Sequence, residues 1–259
     1  MIRVCVAGIT GWTGDPIARA IAEADDLELV SGVSRSSAGT TLENPTAPVF
    51  GSVWEALETV EADVLVDYTD AAAVKENVIA ALARSISVVV GSSGLTADDY
   101  DEIDRRAREA GVGVIAAGNF SLLAALLARS AAEIARHVPS WEILDYASAS
   151  KPDVPSGTSR ELAERLGKVG EPTLGHPLET LHGPAEARGA TVAGTQIHSV
   201  RLPSFVVSTE IVFAAAGERL TLRHDSGETP APYVAGTLLA IRSVQARVGL
   251  TRGLDALID

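Results

Sequence analysis

The chain has 259 residues, 46% of them hydrophobic, and a formal net charge of −13. This length is enough for one large or two modest domains, each with its own buried core. The excess of acidic residues argues against a nucleic-acid partner or an anionic membrane, because both are held mainly by clustered lysine and arginine. No apolar run is long enough to span a bilayer, and a strand-like run already begins at Ile2, so we expect a cytoplasmic protein.

Short apolar runs alternate with helix-like segments from residue 1 to about residue 117. The runs are IRVCVAG, LELVSGV, DVLVDY, ISVVVG and VGVIAAG. Each run is too short for a helix, so the alternation predicts successive βα units around a buried parallel sheet. Between the last two runs, Thr96 is a suitable N-cap and Gly111 a suitable end for a helix. The single cysteine, Cys5, lies inside the first run and is predicted to be buried and inert.

A glycine-rich turn, GITGWTG, follows the first predicted strand and precedes a helix-like segment. Glycines let the backbone approach a pyrophosphate, and a helix N-terminus faces its negative charge. The spacing alone is a weak signal, and a tight turn without a ligand is the alternative interpretation. Its position between a strand and a helix favours a dinucleotide site. The candidate cofactor-binding residues are Gly8, Thr10, Gly11, Trp12, Thr13 and Gly14.

The second predicted strand ends in Ser34-Arg35-Ser36, where an NAD-selective site would place an acidic residue for the ribose hydroxyl. Without that carboxylate, a 2′-phosphate can pair with Arg35 and accept hydrogen bonds from the serines. We therefore predict NADPH as the cofactor, with NADH as the alternative. The competing interpretation is that Arg35 is a solvated loop residue.

After Asn119 an apolar helix is followed by alternating runs, TQIHSVRL, FVVSTEIVFAA and ERLTLRHD. These runs are typical of a largely antiparallel sheet with one solvated face, and they predict a second, α+β domain. The Gly- and Pro-rich stretch from 170 to 194 is interpreted as a long excursion of that domain. A last helix is predicted after Pro230 and Pro232.

The segment Lys151-Pro-Asp-Val-Pro-Ser-Gly-Thr158 gathers a cation, two hydroxyls and a glycine ahead of a helix. A helix N-terminus favours negative charge, so this arrangement predicts a carboxylate or phosphate site. The candidate substrate-binding residues are Lys151, Ser156, Gly157 and Thr158. Lysine is rare in the chain and otherwise occurs only at 75 and 168, which is consistent with a specific use for Lys151.

This segment resembles the K-x-D-x-P-S-G-T signature of the dihydrodipicolinate reductase family, NAD(P)H-dependent enzymes of lysine and diaminopimelate biosynthesis. The turn from Gly91 to Gly94 resembles the family's G-T-T-G turn, and the segment from Gly118 to Ser121 its A/G-N-F-S segment. Thr69 falls where the family lines the cofactor cleft, although Tyr68 and Asp70 depart from its usual pattern. The resemblance adds further cofactor-binding candidates, namely Thr69, Gly91, Ser92, Ser93, Gly118, Asn119 and Phe120.

The resemblance covers nearly the whole chain and implies its organisation. It implies a Rossmann-like dinucleotide-binding domain over residues 1–118 plus 230–259, with the last helix packed on it. A substrate-binding and oligomerisation domain with a mostly antiparallel mixed sheet would occupy residues 119–229. The family further implies a homotetramer built through that sheet. We expect no metal site.

The resemblance does not extend to the two histidines that are held to supply a proton in the family. Family members carry two histidines three and four residues before the lysine, where this chain has Ser148 and Ala147. Neither replacement is an acid near neutral pH. Lys151 is the first candidate for the missing proton donor, with Tyr146 and Asp145 behind it, although binding a substrate carboxylate fits Lys151 better. An imine that arrives already protonated would need no donor.

Three functions remain open. The chain is predicted to be an NADPH-dependent reductase of a cyclic imine, with reduced or absent activity on the family's substrate. A second interpretation is a genuine 4-hydroxy-tetrahydrodipicolinate reductase that works without the histidines. A third is a noncatalytic NADPH-binding sensor or assembly protein on the same fold.

Overall fold

The computed structural model describes residues 1–43 and 46–258. The chain divides into two compact units, Met1–Leu122 with Pro230–Asp259, and Leu123–Thr229. The sequence predicts a division after residue 118 and before residue 230. Asp259, the last residue of the predicted range, lies outside the described residues.

Both units combine strands with helices. In chain order, the strands are β1 (Ile2–Ala7), β2 (Leu27–Val33), β3 (Thr41–Glu43), β4 (Thr46–Phe50), β5 (Val64–Asp67), β6 (Ser87–Val90), β7 (Gly113–Ala116), β8 (Trp141–Ser148), β9 (Ala190–Val192), β10 (Thr195–Leu202), β11 (Val207–Ala215), β12 (Glu218–Asp225) and β13 (Gly249–Arg252). The helices are α1 (Gly14–Glu23), α2 (Val53–Thr59), α3 (Val74–Leu82), α4 (Ala97–Ala110), α5 (Leu122–Ala135), α6 (Gly157–Gly167) and α7 (Ala231–Val244).

The first unit is a Rossmann-like α/β unit, as the sequence predicts. Within the described residues its sheet has the order β13-β7-β6-β5-β1-β2-β4-β3. The five predicted apolar runs form β1, β2, β5, β6 and β7, and their mutual pairings are parallel. Among the described strands of this sheet, only the pairing of the edge strand β3 with β4 is antiparallel. Neither β3 nor β4 was predicted, since both are short and β4 contains Pro48.

The helices of this unit begin and end where local chemistry favours it. Thr96 and Asp99 form a reciprocal capping box at the start of α4, and Gly111 ends the helix with φ 71°. The helix predicted to follow Pro232 begins two residues before Tyr233, at Ala231, because proline is tolerated in a first turn. Cys5 is fully buried, and burial raises the pKa of its thiol to about 11.

Helix α7 and strand β13 come from the end of the chain but belong to the first unit. Ala240, Ile241 and Val244 of α7 are fully buried, and the helix packs against α1, β6 and β7. Strand β13 then extends the parallel sheet beside β7. The predicted return of the last helix to the first domain is therefore observed.

The second unit contains a mixed sheet of order β12-β11-β8-β10-β9 within the described residues. Only the pairing of β10 with β8 is parallel, and the others are antiparallel, in agreement with the predicted fold class. One face of the sheet packs on α6 through a core that includes Trp141, Ile143, Leu166 and Phe213. Among the described helices of both units, none combines the length and apolarity needed to cross a membrane.

Candidate active site

The glycine-rich turn joins β1 to α1 and approaches its neighbours too closely for side chains. Gly8 has φ 80°, and a Cβ atom there would lie 2.3 Å from the carbonyl oxygen of Tyr68. A Cβ atom on Gly14 would lie 2.0 Å from the carbonyl oxygen of Gly8. The exposed ring of Trp12 makes an edge-to-face contact with Tyr233 of α7, at 6.2 Å between centroids. Gly8 and Gly14 therefore lie so close to backbone carbonyl oxygens that a side chain at either position would clash.

Hydroxyl groups link this turn to the end of β2. Thr10 Oγ1 lies 2.9 Å from Ser34 Oγ, which lies 3.2 Å from Ser36 Oγ. Three residues that the sequence assigns to the cofactor therefore converge at the carboxyl end of the sheet. Between the two serines, Arg35 reaches outward and donates to Asp70 Oδ2 at 2.9 Å.

A buried carboxylate, Asp67, organises the next loops along the sheet. It ends β5, is 0% exposed and accepts hydrogen bonds from both the backbone N–H and the hydroxyl of Thr69. It also accepts from Asn77 Nδ2 at 2.8 Å and from Ser92 Oγ at 2.6 Å. Sequence reasoning named Thr69 and Ser92 but missed Asp67 and Asn77, the groups that position them.

The two small-residue turns after β6 and β7 lie at the same edge of the sheet. A Cβ atom on Gly91 would fall 2.1 Å from the ring of Tyr68, whose hydroxyl lies 2.7 Å from Thr237 Oγ1. Ser93 and Gly118 are exposed, whereas the Phe120 side chain is only 1% exposed and packs edge-to-face on Tyr68. Phe120 is therefore part of the core, and only its backbone is available to a ligand.

In the second unit, the predicted anion-binding segment ends in the N-terminus of α6. Ser156 is the N-cap, with its hydroxyl accepting the N–H of Ser159 at 3.3 Å, and it is 1% exposed. The Ser156 hydroxyl thus caps the helix and does not face solvent. Gly157 and Thr158 form the first turn of α6 and are partly exposed. An anion at this helix start would meet their N–H groups and the Thr158 hydroxyl.

Asp145 of β8 fixes the anion-binding segment through hydrogen bonds. Its carboxylate is 0% exposed and accepts the Ser156 N–H at 3.0 Å and the Ser159 hydroxyl at 3.0 Å. Arg201 Nη2 donates to the same carboxylate and to the Asp153 carbonyl, both at 2.8 Å. Arg201 therefore ties β10 to the segment, a role that sequence reasoning missed.

These contacts determine the charge of Asp145. Burial alone would raise the pKa of the carboxyl, but hydrogen bonds from Ser156, Arg201 and Ser199 outweigh it and lower the pKa below its usual value. A carboxyl held ionised in this way is poorly suited to donate a proton near neutral pH. The contacts favour a positioning role for Asp145 over the predicted role as a proton donor.

The other two donor candidates have different surroundings. Lys151 is partly exposed, and its Nζ lies 2.9 Å from Asp153 Oδ1. Tyr146 stacks on Phe205 with ring centroids 5.3 Å apart, and Arg223 covers its ring. Because side chains alternate along a strand, Tyr146 points to the opposite face of β8 from Asp145, so these two candidates do not converge.

Two family models together match nearly the whole chain. The model described as "Dihydrodipicolinate reductase, N-terminus" matches residues 2–120, and the one described as "Dihydrodipicolinate reductase, C-terminus" matches residues 121–257. The chain belongs to the dihydrodipicolinate reductase family. At the level of the family, it is an oxidoreductase with lysine-pathway ancestry.

Full-length relatives agree with this assignment. The 4-hydroxy-tetrahydrodipicolinate reductases of Moorella thermoacetica and Halalkalibacterium halodurans are each 36% identical to the chain. Each alignment covers 100% of this chain, and 98% and 100% of the relative. A solved structure, dipicolinate-bound dihydrodipicolinate reductase from Paenisporosarcina sp. TG-14, superposes over 100% of both chains with a TM-score of 0.77 at 29% identity. A myo-inositol dehydrogenase from Corynebacterium glutamicum, at 17% identity and a TM-score of 0.64, shares the fold alone.

The two positions where the resemblance places histidines, Ala147 and Ser148, lie at the end of β8. Ala147 is 0% exposed and lies on the same sheet face as Asp145, and Ser148 Oγ lies 3.0 Å from Ser150 Oγ. The histidines of the chain lie elsewhere in the sequence, at 137, 176, 182, 198 and 224. His198 Nε2 contacts Glu142 at 2.7 Å, and burial lowers the pKa of His224.

Proposed function

We propose that this protein is an NADPH-dependent reductase of a cyclic imine that carries a carboxylate, with NADH as a second cofactor. The observation that carries the proposal is the anion-binding segment from Lys151 to Thr158. Asp145 and Arg201 fix its backbone ahead of α6, and Lys151 in the same segment supplies a cation that pairs with Asp153. The solved relative from Paenisporosarcina sp. TG-14 is dipicolinate-bound, which supports a carboxylated ring as the ligand class.

The residues at the edge of the first sheet fit a dinucleotide. Gly8 and Gly14 let the turn pack tightly between β1 and the start of α1, where a pyrophosphate would meet the helix N-terminus. Ser34, Arg35 and Ser36 offer two hydroxyls and a guanidinium to a 2′-phosphate. When bound, the reduced nicotinamide supplies a hydride to the imine carbon.

Reduction also requires a proton on the imine nitrogen. The protein must supply this proton unless the substrate binds as an iminium, which is already protonated. Alanine and serine at 147 and 148 leave Lys151 as the first candidate donor. We propose that Lys151 mainly pairs with the substrate carboxylate, because an ammonium beside a helix N-terminus suits an anion. Ala147 is buried and has no proton to donate, and a substrate that arrives already protonated needs no enzymic donor.

The alternative is a genuine 4-hydroxy-tetrahydrodipicolinate reductase. It is favoured by relatives of that name that are 36% identical over the whole chain. A noncatalytic NADPH-binding protein is the outcome expected if neither imine is reduced. We further propose the family's homotetramer, which light scattering coupled to gel filtration would test through the mass in solution.

The deciding experiment follows NADPH oxidation by the whole protein. One arm receives 4-hydroxy-tetrahydrodipicolinate made freshly by its synthase, and the other a panel of cyclic imines with and without carboxylates. Turnover of the carboxylated imines, without turnover of the imines that lack a carboxylate, supports the proposal. Turnover of the lysine-pathway compound selects the genuine reductase. NADPH binding without any turnover would exclude an imine reductase in favour of a binding protein.

Lys151→Ala tests the anion-binding segment directly, with Lys168→Ala at the other end of α6 as the matched control. Loss of a charged contact of about 1.5–3 kcal/mol should lower kcat/KM for a carboxylated imine roughly 10- to 100-fold. NADPH affinity should stay unchanged in both variants. Equal catalysis by Lys151→Ala and wild type would remove the assigned role.

A further inference from the structure

Arg35 and Asp70 form an ion pair across the end of β1. Arg35 follows β2 and Asp70 follows β5, and in the sheet these two strands flank β1 on either side. Two strand spacings separate their backbones, or about 10 Å. The side chains nevertheless meet at 2.9 Å, so the pair spans the edge from which the glycine-rich turn leaves.

The two partners are held to different degrees. Asp70 Oδ1 accepts the N–H groups of Ala72 and Ala73, each at 3.0 Å, which fixes the carboxylate in its turn. The other oxygen, Oδ2, faces Arg35. The Arg35 side chain is 81% exposed against 49% for Asp70, so Asp70 is the anchored member and the guanidinium is the member that can move.

We propose that Asp70 is a specificity-determining residue that competes with the cofactor's 2′-phosphate for Arg35. This inference rests on the proposed function, since it concerns how the same site discriminates between NADPH and NADH. The phosphate can pair with Arg35 only if the guanidinium leaves Asp70 or shares the space with a second anion. NADH brings no 2′-phosphate, so it binds with the Arg35–Asp70 pair intact. Asp70 therefore reduces the preference for NADPH that Arg35 alone would give.

The opposite role for Asp70 makes a different prediction. If its carboxylate bound the ribose hydroxyls directly, as acidic residues do in NAD-selective sites, its removal would weaken NADH. If it oriented Arg35 toward the phosphate, its removal would weaken NADPH. Competition alone predicts stronger NADPH binding with NADH unchanged.

The test measures dissociation constants of NADPH and NADH for the whole protein by fluorescence or calorimetry. Asp70→Asn removes the charge but keeps an oxygen for the turn. Asp26→Asn is the matched control, because Asp26 also pairs with an arginine, Arg242, at 2.7 Å but precedes β2 at the opposite end of the sheet. Asp70→Asn should tighten NADPH about two- to fivefold, the range expected for an exposed ion pair, with NADH and the control unchanged.

Two further measurements complete the test. The gain in NADPH affinity caused by Asp70→Asn should shrink in high salt. It should largely disappear when Asp70→Asn is combined with Arg35→Ala and compared with Arg35→Ala alone. An unchanged ratio of the two affinities, or weaker binding of either dinucleotide to Asp70→Asn, would overturn the inference while leaving the reductase proposal standing. Failure of the wild-type protein to bind either dinucleotide would overturn both.

Discussion

Two aspartates, one in each unit, are completely buried beside candidate binding loops of their own unit, and they are stabilised by different partners. Asp67 is held by neutral donors, the backbone and hydroxyl of Thr69, the Asn77 amide and the Ser92 hydroxyl. Asp145 is held by a backbone N–H, by serine hydroxyls and by the guanidinium of Arg201. Removing one neutral donor from Asp67 leaves the other donors in place. Removing one member of a buried ion pair leaves the charge of the other member buried without compensation.

The largest effect is expected from Arg201→Met. This change leaves Asp145 buried without its cation, which should lower the free energy of unfolding by about 3–5 kcal/mol. Urea denaturation would measure the loss, and hydrogen exchange should increase over residues 151–159. The double variant with Asp145→Asn should recover part of the stability. A single variant as stable as wild type would remove the distinction between the two aspartates.

A smaller loss is expected from Asp67→Asn. The asparagine keeps one acceptor oxygen but turns an amide N–H₂ toward groups that donate, so about 1–3 kcal/mol should be lost. Urea denaturation of Asp26→Asn, an exposed aspartate of the same unit, provides the control. A loss as large as that of Arg201→Met would mean that the neutral shell around Asp67 is no more tolerant than the ion pair.

Smaller still are the effects of single hydroxyls. Ser92→Ala removes one donor to Asp67, and Ser199→Ala removes one donor to Asp145. Each should cost about 1 kcal/mol, because other donors continue to hold each carboxylate. The two variants form a matched pair in thermal or urea denaturation. A much larger cost at Ser199 would show that the Asp145 network depends on every donor.

The smallest expected effect is a pH dependence at Asp145. Its pKa is lowered in the folded state, so its stabilising contribution is present above the unfolded carboxyl pKa and is lost as pH falls through the folded value. Burial opposes the hydrogen bonds, so the net effect is small. Stability should decline below about pH 5, and less steeply in Asp145→Asn than in wild type. Parallel pH profiles for the two proteins would contradict the assignment.

The elements that sequence predicts well are those with local causes. Continuous apolar runs produced the central strands of the first sheet, and Thr96 with Asp99 produced a capped helix. Strand β8 is harder to predict from the sequence, because Asp145 occupies a buried position where an apolar side chain is expected. Strand β13 was not predicted from the sequence, because it has only four residues.

The candidate site shows the same division between local and distant causes. The glycine-rich turn and the segment from Lys151 to Thr158 are contiguous motifs, and each leads directly into the N-terminus of a helix. Asp67 ended an apolar run and looked like part of its strand, and its partners Asn77 and Ser92 lie 10 and 25 residues away. Arg201 lies 56 residues from Asp145, and spacing in a single sequence carries no signal for such a pairing.

The return of α7 and β13 to the first unit has a consequence for synthesis on the ribosome. The second unit is contiguous in sequence, so all of its residues emerge together and it can fold as soon as residue 229 is available. The first unit begins earlier but lacks the buried face of α7 and an edge strand of its sheet until nearly the whole chain has been made. The nascent protein therefore carries an incomplete nucleotide-binding unit while its middle portion is already able to fold.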